Sequence, residues 1–387
     1  MTSPRMQPLE IDAAWIGSEM APRRDWIHEL SPAEIEDLDQ AVAHARATGK
    51  SLARLTRDDF PLGVLAGSTE EWLGALDRGR GFVLVRGVPV ERYGEQDATI
   101  AYWGLGLHLG SAVSQNAAGD LLGHVRDAGL ARRDPTIRLY RTRERLGFHT
   151  DGSDIVGLLC LRPAKSGGTS RIASSAAIYN EILRRRPDLV PALHDPFPFD
   201  RNGEEGPGEP PYYELPICRE AKGRIRTFYI GWYIRDSQRH AEAPRLSLSQ
   251  REVIDLIDEL ASDPRIHLDM DFRAGDIQWL KNASILHART DYEDHAEPDR
   301  KRHLLRLWLT SRRAFADGDP FLQRGVPRQQ GRASDSEMAN AAVEPVTQPL
   351  GSSLALYSKQ RSSQDHARDA EVDHETGHVD ESRDEGR

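Results

Sequence analysis

A His149-Thr150-Asp151 triplet is followed, 136 residues after its aspartate, by His287, and then by Arg302 and Arg306. Two imidazoles and one carboxylate are the ligand set of a facial Fe(II) site with open coordination positions. Residues i and i+2 of a strand point to one face, so His149 and Asp151 can grip one ion. The trailing arginines suit a second task, because their planar fork matches a carboxylate on a bound acid. Alone, His-x-Asp says little in a chain with 14 histidines, and a lone histidine is more often a core residue satisfied by hydrogen bonds. Position raises the value of this triplet: it lies between apolar segments at 137–140 and 155–161, where polar groups need partners. Alternation over 302–309 puts Arg302, Leu304, Arg306 and Trp308 on one face. Two arginines there are costly to bury unless each meets an anion. The plain alternative is an edge strand with solvated arginines.

The elements that must hold these residues are legible in outline. Ser31-Pro32-Ala33-Glu34 reads as a capping box with proline at the first helical position, opening a helix to about Thr48. A short helix at 69–76, a glycine-bracketed strand at 81–87 and a helix at 97–107 follow. Strands are predicted at 137–140, 147–149 and 155–161, then a helix at 175–186 stopped by Pro187. After an irregular Gly/Pro/Glu loop at 201–211 come strands at 213–218, an edge because of Pro216, and at 226–230. A second capping box, Ser249-Gln250-Arg251-Glu252, precedes an apolar helical stripe from Val253 to Leu260, and short strands at 277–280, 284–289 and 302–309 complete the series. Many short strands with inserted helices predict a mainly β fold with α insertions, a sandwich or jelly roll.

Composition bounds the rest. Of the net charge of −10, residues 362–387 carry −6 from nine Asp/Glu against three Arg, which leaves −4 for the remainder. With no Lys/Arg stripe, a nucleic-acid partner is not expected. The two cysteines, Cys160 and Cys218, make no CxxC spacing, which fits a reducing compartment rather than a disulfide framework. No run of about 18 apolar residues exists, so no membrane span is expected and a soluble cytoplasmic protein is the default. The division expected is an arm at 1–27, one domain at 28–328 and a disordered acidic tail at 329–387, since 362–387 lack Leu, Ile, Met and aromatics.

Taken together, Gly81–Gly87, the FHTDGSD block at 148–154, SGGTSRIASS at 166–175, GDIQWLKN at 275–282, LHARTDY at 286–292 and RKRHLLRLW at 300–308 resemble the taurine/2,4-D dioxygenase-like, clavaminate-synthase-like family of Fe(II)/2-oxoglutarate oxygenases. These pieces span roughly residues 80–312. The resemblance implies a double-stranded β-helix, with His149, Asp151 and His287 as iron ligands. It implies that Arg302, fifteen residues past His287, pairs with the distal carboxylate of the cosubstrate 2-oxoglutarate, helped by Ser170 or by its neighbour Thr169. Arg306 aligns with an arginine that binds an acidic group of the substrate in some relatives, or else forms a structural ion pair. The implied reaction consumes O2 and a small carboxylate- or sulfonate-bearing substrate such as an amino acid or derivative, oxidises an unactivated C–H bond, by hydroxylation as the usual outcome or by desaturation or ring closure depending on substrate placement, and releases succinate and CO2. Asp151 argues against a halogenase, in which the carboxylate is replaced by a small residue.

Softer candidates are Gln115-Asn116, which either line a substrate entrance or form a turn, and Tyr140 and Arg141, leading into the metal strand. Tyr229, Trp232, Tyr233 and Trp279 are expected in the core. His374-Glu375-Thr376-Gly377-His378 matches the zinc-peptidase pattern, but it sits in an acidic stretch without an apolar stripe. A zinc hydrolase using His374 and His378, and a non-catalytic β-helix binding module, are therefore the rival readings.

Overall fold

Strand His303–Ser311 lies between Ile155–Arg162 and the short strands Gly110–Ala112 and Leu122–Val125 in the larger sheet of a computed structural model of the chain, and all nine of its residues are buried. The structure describes residues 5–129, 139–221 and 224–313. The chain divides by contacts into units Met1–Ser336 and Glu337–Arg387, and the acidic tail with its His374–His378 pentad lies outside the described residues.

The larger sheet has seven strands. Its order is Ile27–Glu29, Phe82–Arg86, Ile277–Lys281, Ile155–Arg162, His303–Ser311, Gly110–Ala112, with Leu122–Val125 also paired to His303–Ser311. All pairs are antiparallel except the first. The smaller sheet has four antiparallel strands in the order His267–Met270, Ser170–Ser174, Ile285–Arg289, Leu146–His149.

Alternation decides what each sheet face buries. Val83 and Val85 pack with Leu305, Leu307 and Leu309 under helices Pro32–Ala47, Leu65–Asp77 and Val90–Leu109. On the opposite face Phe82, Leu84 and Leu280 meet Ile172, Leu268, Met270 and Ile285 of the smaller sheet. Trp15, Met20 and Trp26, from the first residues of the chain, join this layer between the sheets. Helices Ser175–Arg185 and Leu248–Ser262 cover the outer face of the smaller sheet through Ile178, Ile182, Val253 and Ile257. No described helix is long and apolar enough to cross a membrane.

Several sequence expectations shift. The Ser31/Glu34 capping box forms as expected, but the second box closes on Ser247 and Gln250 rather than on Ser249 and Glu252, so the helix starts at Leu248. The helix expected at 97–107 runs Val90–Leu109, joined to an earlier turn through Gly94 at φ +67°. The strand expected at 137–140 is not found in its described part: Leu139–Arg141 is a 3-10 turn, and residues 137–138 lie outside the described residues. The strand expected at 226–230 is Arg224–Thr227, and a short helix, Gly231–Asp236, follows it.

Candidate metal centre

His149 ends strand Leu146–His149 and lies directly across from His287 on Ile285–Arg289. Their ring centroids are 4.1 Å apart. Asp151 is not on the strand, as alternation suggested, but in the turn that leaves it. Asn282 fixes that turn: its side-chain oxygen accepts from the Asp151 N–H at 2.9 Å, and its amide donates to the Asp151 and Ser153 carbonyls. Thr150 is pinned from the other side, its N–H donating to the Tyr229 carbonyl at 2.7 Å. Gly152 is needed beside this turn because a Cβ there would stand 3.3 Å from the Trp308 ring.

The three side chains converge. Asp151 Oδ1 is 3.8 Å from His149 Nε2 and Asp151 Oδ2 is 3.5 Å from His287 Nε2. One ligand atom from each of the three residues lies within 4.8 Å of the others, and all three residues are buried. His149 Nδ1 donates to the Gly147 carbonyl at 2.9 Å, which leaves its Nε2 lone pair facing the carboxylate. Burial, followed by the His287 ring, pushes the His149 pKa down to about 3, so the ring is neutral, as a ligand must be. Burial alone would raise the Asp151 pKa, but Arg306 and the two histidines outweigh it and hold the carboxyl well below its usual range. Trp308 Nε1 donates to Asp151 Oδ2 at 2.9 Å, so this carboxylate is ionised, oriented and flanked by nitrogen donors. Two buried imidazoles with an ionised carboxylate fit a divalent transition metal.

A pocket opens beside the triad. Its lining includes both histidines, Tyr140, Ser170, Arg289, Arg302 and Arg306, and no carboxylate. Arg302 is 5 % exposed, its guanidinium lies 5.0 Å from the Tyr292 ring centroid, and its buried Nη1 has no partner among the described residues. Gly168, at φ +72°, makes room for it, since a Cβ there would stand 3.2 Å from Arg302 Nε. Ser170 shares its hydroxyl with Gln278 and lines the pocket. Thr169 instead donates to Asp271 at 3.0 Å and lines a neighbouring cavity on the far side of Arg302.

Arg306 is held on several sides. Its Nε donates to Gln115 Oε1 at 2.7 Å, its Nη1 is 3.6 Å from Asp151 Oδ2, and the Tyr140 and Trp308 rings lie against its guanidinium. Gln115 is buried and returns a bond to the Arg306 carbonyl, so it holds the arginine rather than lining the pocket. Asn116 bonds Asp120 within its own turn. Arg141 is not among the pocket-lining residues, whereas Tyr140 is. Tyr229 and Trp279 are core residues, and Trp232 packs 5.0 Å from the His149 ring. Sequence reasoning missed Asn282, Trp308 as the orienting donor, and Arg289, although Arg289 sits two residues past His287, where alternation returns to the same face.

A second histidine cluster, Glu95, His124 and His303, also meets the spacing for a metal. Its chemistry does not fit. Arg162 Nη2 donates to His303 Nδ1 at 3.2 Å, and His303 Nε2 lies 2.8 Å from His124 Nδ1. Both nitrogens of His303 are therefore engaged. Burial, His124 and then Arg126, Arg162 and Arg302 push the His303 pKa down to about 3, and the same cationic surroundings oppose a metal ion.

The family model described as "Taurine catabolism dioxygenase TauD, TfdA family" matches residues 45–308. FR-33289 synthase of Streptomyces rubellomurinus (strain ATCC 31215) is 33% identical over 310 residues, covering 78% of this chain and 90% of that protein. Among solved structures, asparagine oxygenase in complex with Fe(II), 2S,3S-3-hydroxyasparagine and succinate superposes with a TM-score of 0.60 at 15% identity, over 79% of this chain and 100% of that one. The non-heme iron oxygenase OrfP in complex with Fe and alpha-ketoglutaric acid does so with a TM-score of 0.57 at 16% identity, over 78% and 100%. With the family match spanning most of the described fold and enclosing the whole triad, this chain belongs to the TauD/TfdA family of dioxygenases, and is an enzyme of the non-haem iron, 2-oxoglutarate-dependent class.

Proposed function

We propose that the enzyme hydroxylates an unactivated C–H bond of a small anionic substrate, plausibly an amino acid or a derivative, with release of succinate and CO2. The observation that carries this reading is a pocket beside the triad with three arginines and no carboxylate in its lining. Arg289 and Arg302 keep buried N–H donors without a partner among the described residues, and such donors call for anionic ligands. That asparagine oxygenase was captured with a hydroxylated amino acid supports the amino-acid class. The two facing, largely antiparallel sheets, with one apolar layer between them, support a double-stranded β-helix as the frame.

Fe(II) and 2-oxoglutarate, once bound, would supply the oxidising power for the C–H bond from O2. The chain's own residues do the rest. His149, Asp151 and His287 would hold the metal, with Trp308 and Asn282 fixing the carboxylate. Arg302 and Ser170 would take the distal carboxylate of the keto acid, leaving its reactive end toward the triad. Arg306, immobilised by Gln115 and stacked between Tyr140 and Trp308, would meet the acidic group of the substrate and set which carbon faces the metal. The apolar remainder of the lining, Val125, Leu146, Leu158, Phe272 and Leu304, would exclude water from the reacting centre.

The test is a panel of carboxylate, sulfonate and phosphonate compounds incubated with Fe(II), 2-oxoglutarate and O2, with succinate and product masses as readouts. An acid that stimulates succinate formation and gains one oxygen atom is the expected result. Stimulation by neutral or cationic compounds alone would contradict the anionic-substrate reading.

A further inference from the structure

We propose that Arg289 is a second anion-binding arm of this pocket, sharing the distal carboxylate of 2-oxoglutarate with Arg302. The inference rests on the reading of the pocket as the 2-oxoglutarate site. Arg289 lies directly across from Ser170 on the neighbouring strand, and directly opposed residues carry their side chains on one face. Both line the pocket together with Arg302. Tyr292 sits against both guanidiniums, its ring centroid 4.8 Å from that of Arg289 and 5.0 Å from that of Arg302.

Arg289 is 6 % exposed, and its Nη2 donates to the Thr142 carbonyl at 2.9 Å and to that of Glu144. Those bonds aim the fork and anchor the segment that carries Tyr140. Among the described residues its Nε and Nη1 find no partner, and neither does Arg302 Nη1; all three are buried. Among the described residues, no carboxylate is hydrogen-bonded to Arg289. Two cations with unused donors around one ring are an unfavourable arrangement until an anion arrives. A carboxylate has about four lone-pair sites on two oxygens, enough for both forks.

The experiment is anaerobic calorimetry on the Fe(II)-loaded protein with 2-oxoglutarate and with 2-oxovalerate, which lacks the distal carboxylate. The ratio of the two dissociation constants is read in the native protein, Arg289→Gln, Arg289→Lys and Arg302→Gln. Loss of one charge-assisted contact should lower the preference for 2-oxoglutarate by about 10- to 100-fold in Arg289→Gln, with part of it restored in Arg289→Lys. A native ratio in Arg289→Gln beside a collapsed ratio in Arg302→Gln would overturn the proposal, as would an equal loss of affinity for both acids, the mark of a purely structural arginine. An unchanged ratio in both glutamine variants would instead overturn the reading of the pocket as the 2-oxoglutarate site.

Discussion

Two histidine clusters flank the same buried strand, and only one is built to hold a metal. His149, Asp151 and His287 lie toward the pocket, on the side to which Arg306 and Trp308 point; His124, His303 and Glu95 lie by helix Val90–Leu109. Ligand types and spacing are comparable. The difference is in what the neighbours do to the lone pairs and the charge. The single hydrogen bond from His149 Nδ1 to Gly147 directs Nε2 at an ionised carboxylate. In the second cluster Arg162 occupies His303 Nδ1, and His303 Nε2 is engaged by His124. A metal site is thus specified as much by its supporting hydrogen bonds as by its ligands.

That comparison can be broken or sharpened by substitution. The largest effect is expected from His287→Ala, which should abolish Fe(II)-dependent succinate formation while His124→Ala keeps it, both followed by a coupled succinate assay. Arg302→Gln should come next. Losing one partner of a buried charge pair costs about 2–5 kcal/mol, so 2-oxoglutarate affinity should fall by roughly 30-fold or more, read by anaerobic calorimetry. Asn282→Ala releases the turn that presents Asp151 and should weaken iron binding by about 10- to 100-fold, whereas Arg162→Gln should leave iron binding at the triad unchanged. A competition titration with a chelator distinguishes them.

The smallest effect is on pH-dependent stability. His303 is neutral in the fold, its pKa pushed down to about 3, while in the unfolded chain it titrates near 6.5. Above that value it is neutral in both states and contributes no pH dependence. As pH falls from about 6.5 toward 3, the unfolded chain takes up the proton and the fold does not, so stability is lost by at most about 1.4 kcal/mol per pH unit. Denaturant unfolding at pH 7 and pH 5 should show a shallower loss in His303→Gln than in the native protein.

How far the sequence revealed this site follows from range. His149, Asp151, His287, Arg302 and Arg306 were legible because a short motif and strand alternation are local patterns. Asn282 and Gln115 were not readable as holders of Asp151 and Arg306, because those pairs are 131 and 191 residues apart and meet only when the sheets assemble. Asp151 was placed on a strand that in fact ends at His149, since alternation cannot show where pairing stops. The helix start differs by two residues because Ser247-x-x-Gln250 and Ser249-x-x-Glu252 both satisfy the capping pattern, and the first is the one that forms. The fold was legible as many short strands with inserted helices, while strand order, which sets the two clusters on opposite sides of one strand, was not.

The most direct test of the central claim is an anaerobic titration of apo-protein with Fe(II) and then 2-oxoglutarate, followed by visible absorption. The account predicts a metal-to-ligand charge-transfer band in the native protein and in His124→Ala, and none in His287→Ala. A band that survives in folded His287→Ala, or disappears in folded His124→Ala, would contradict it.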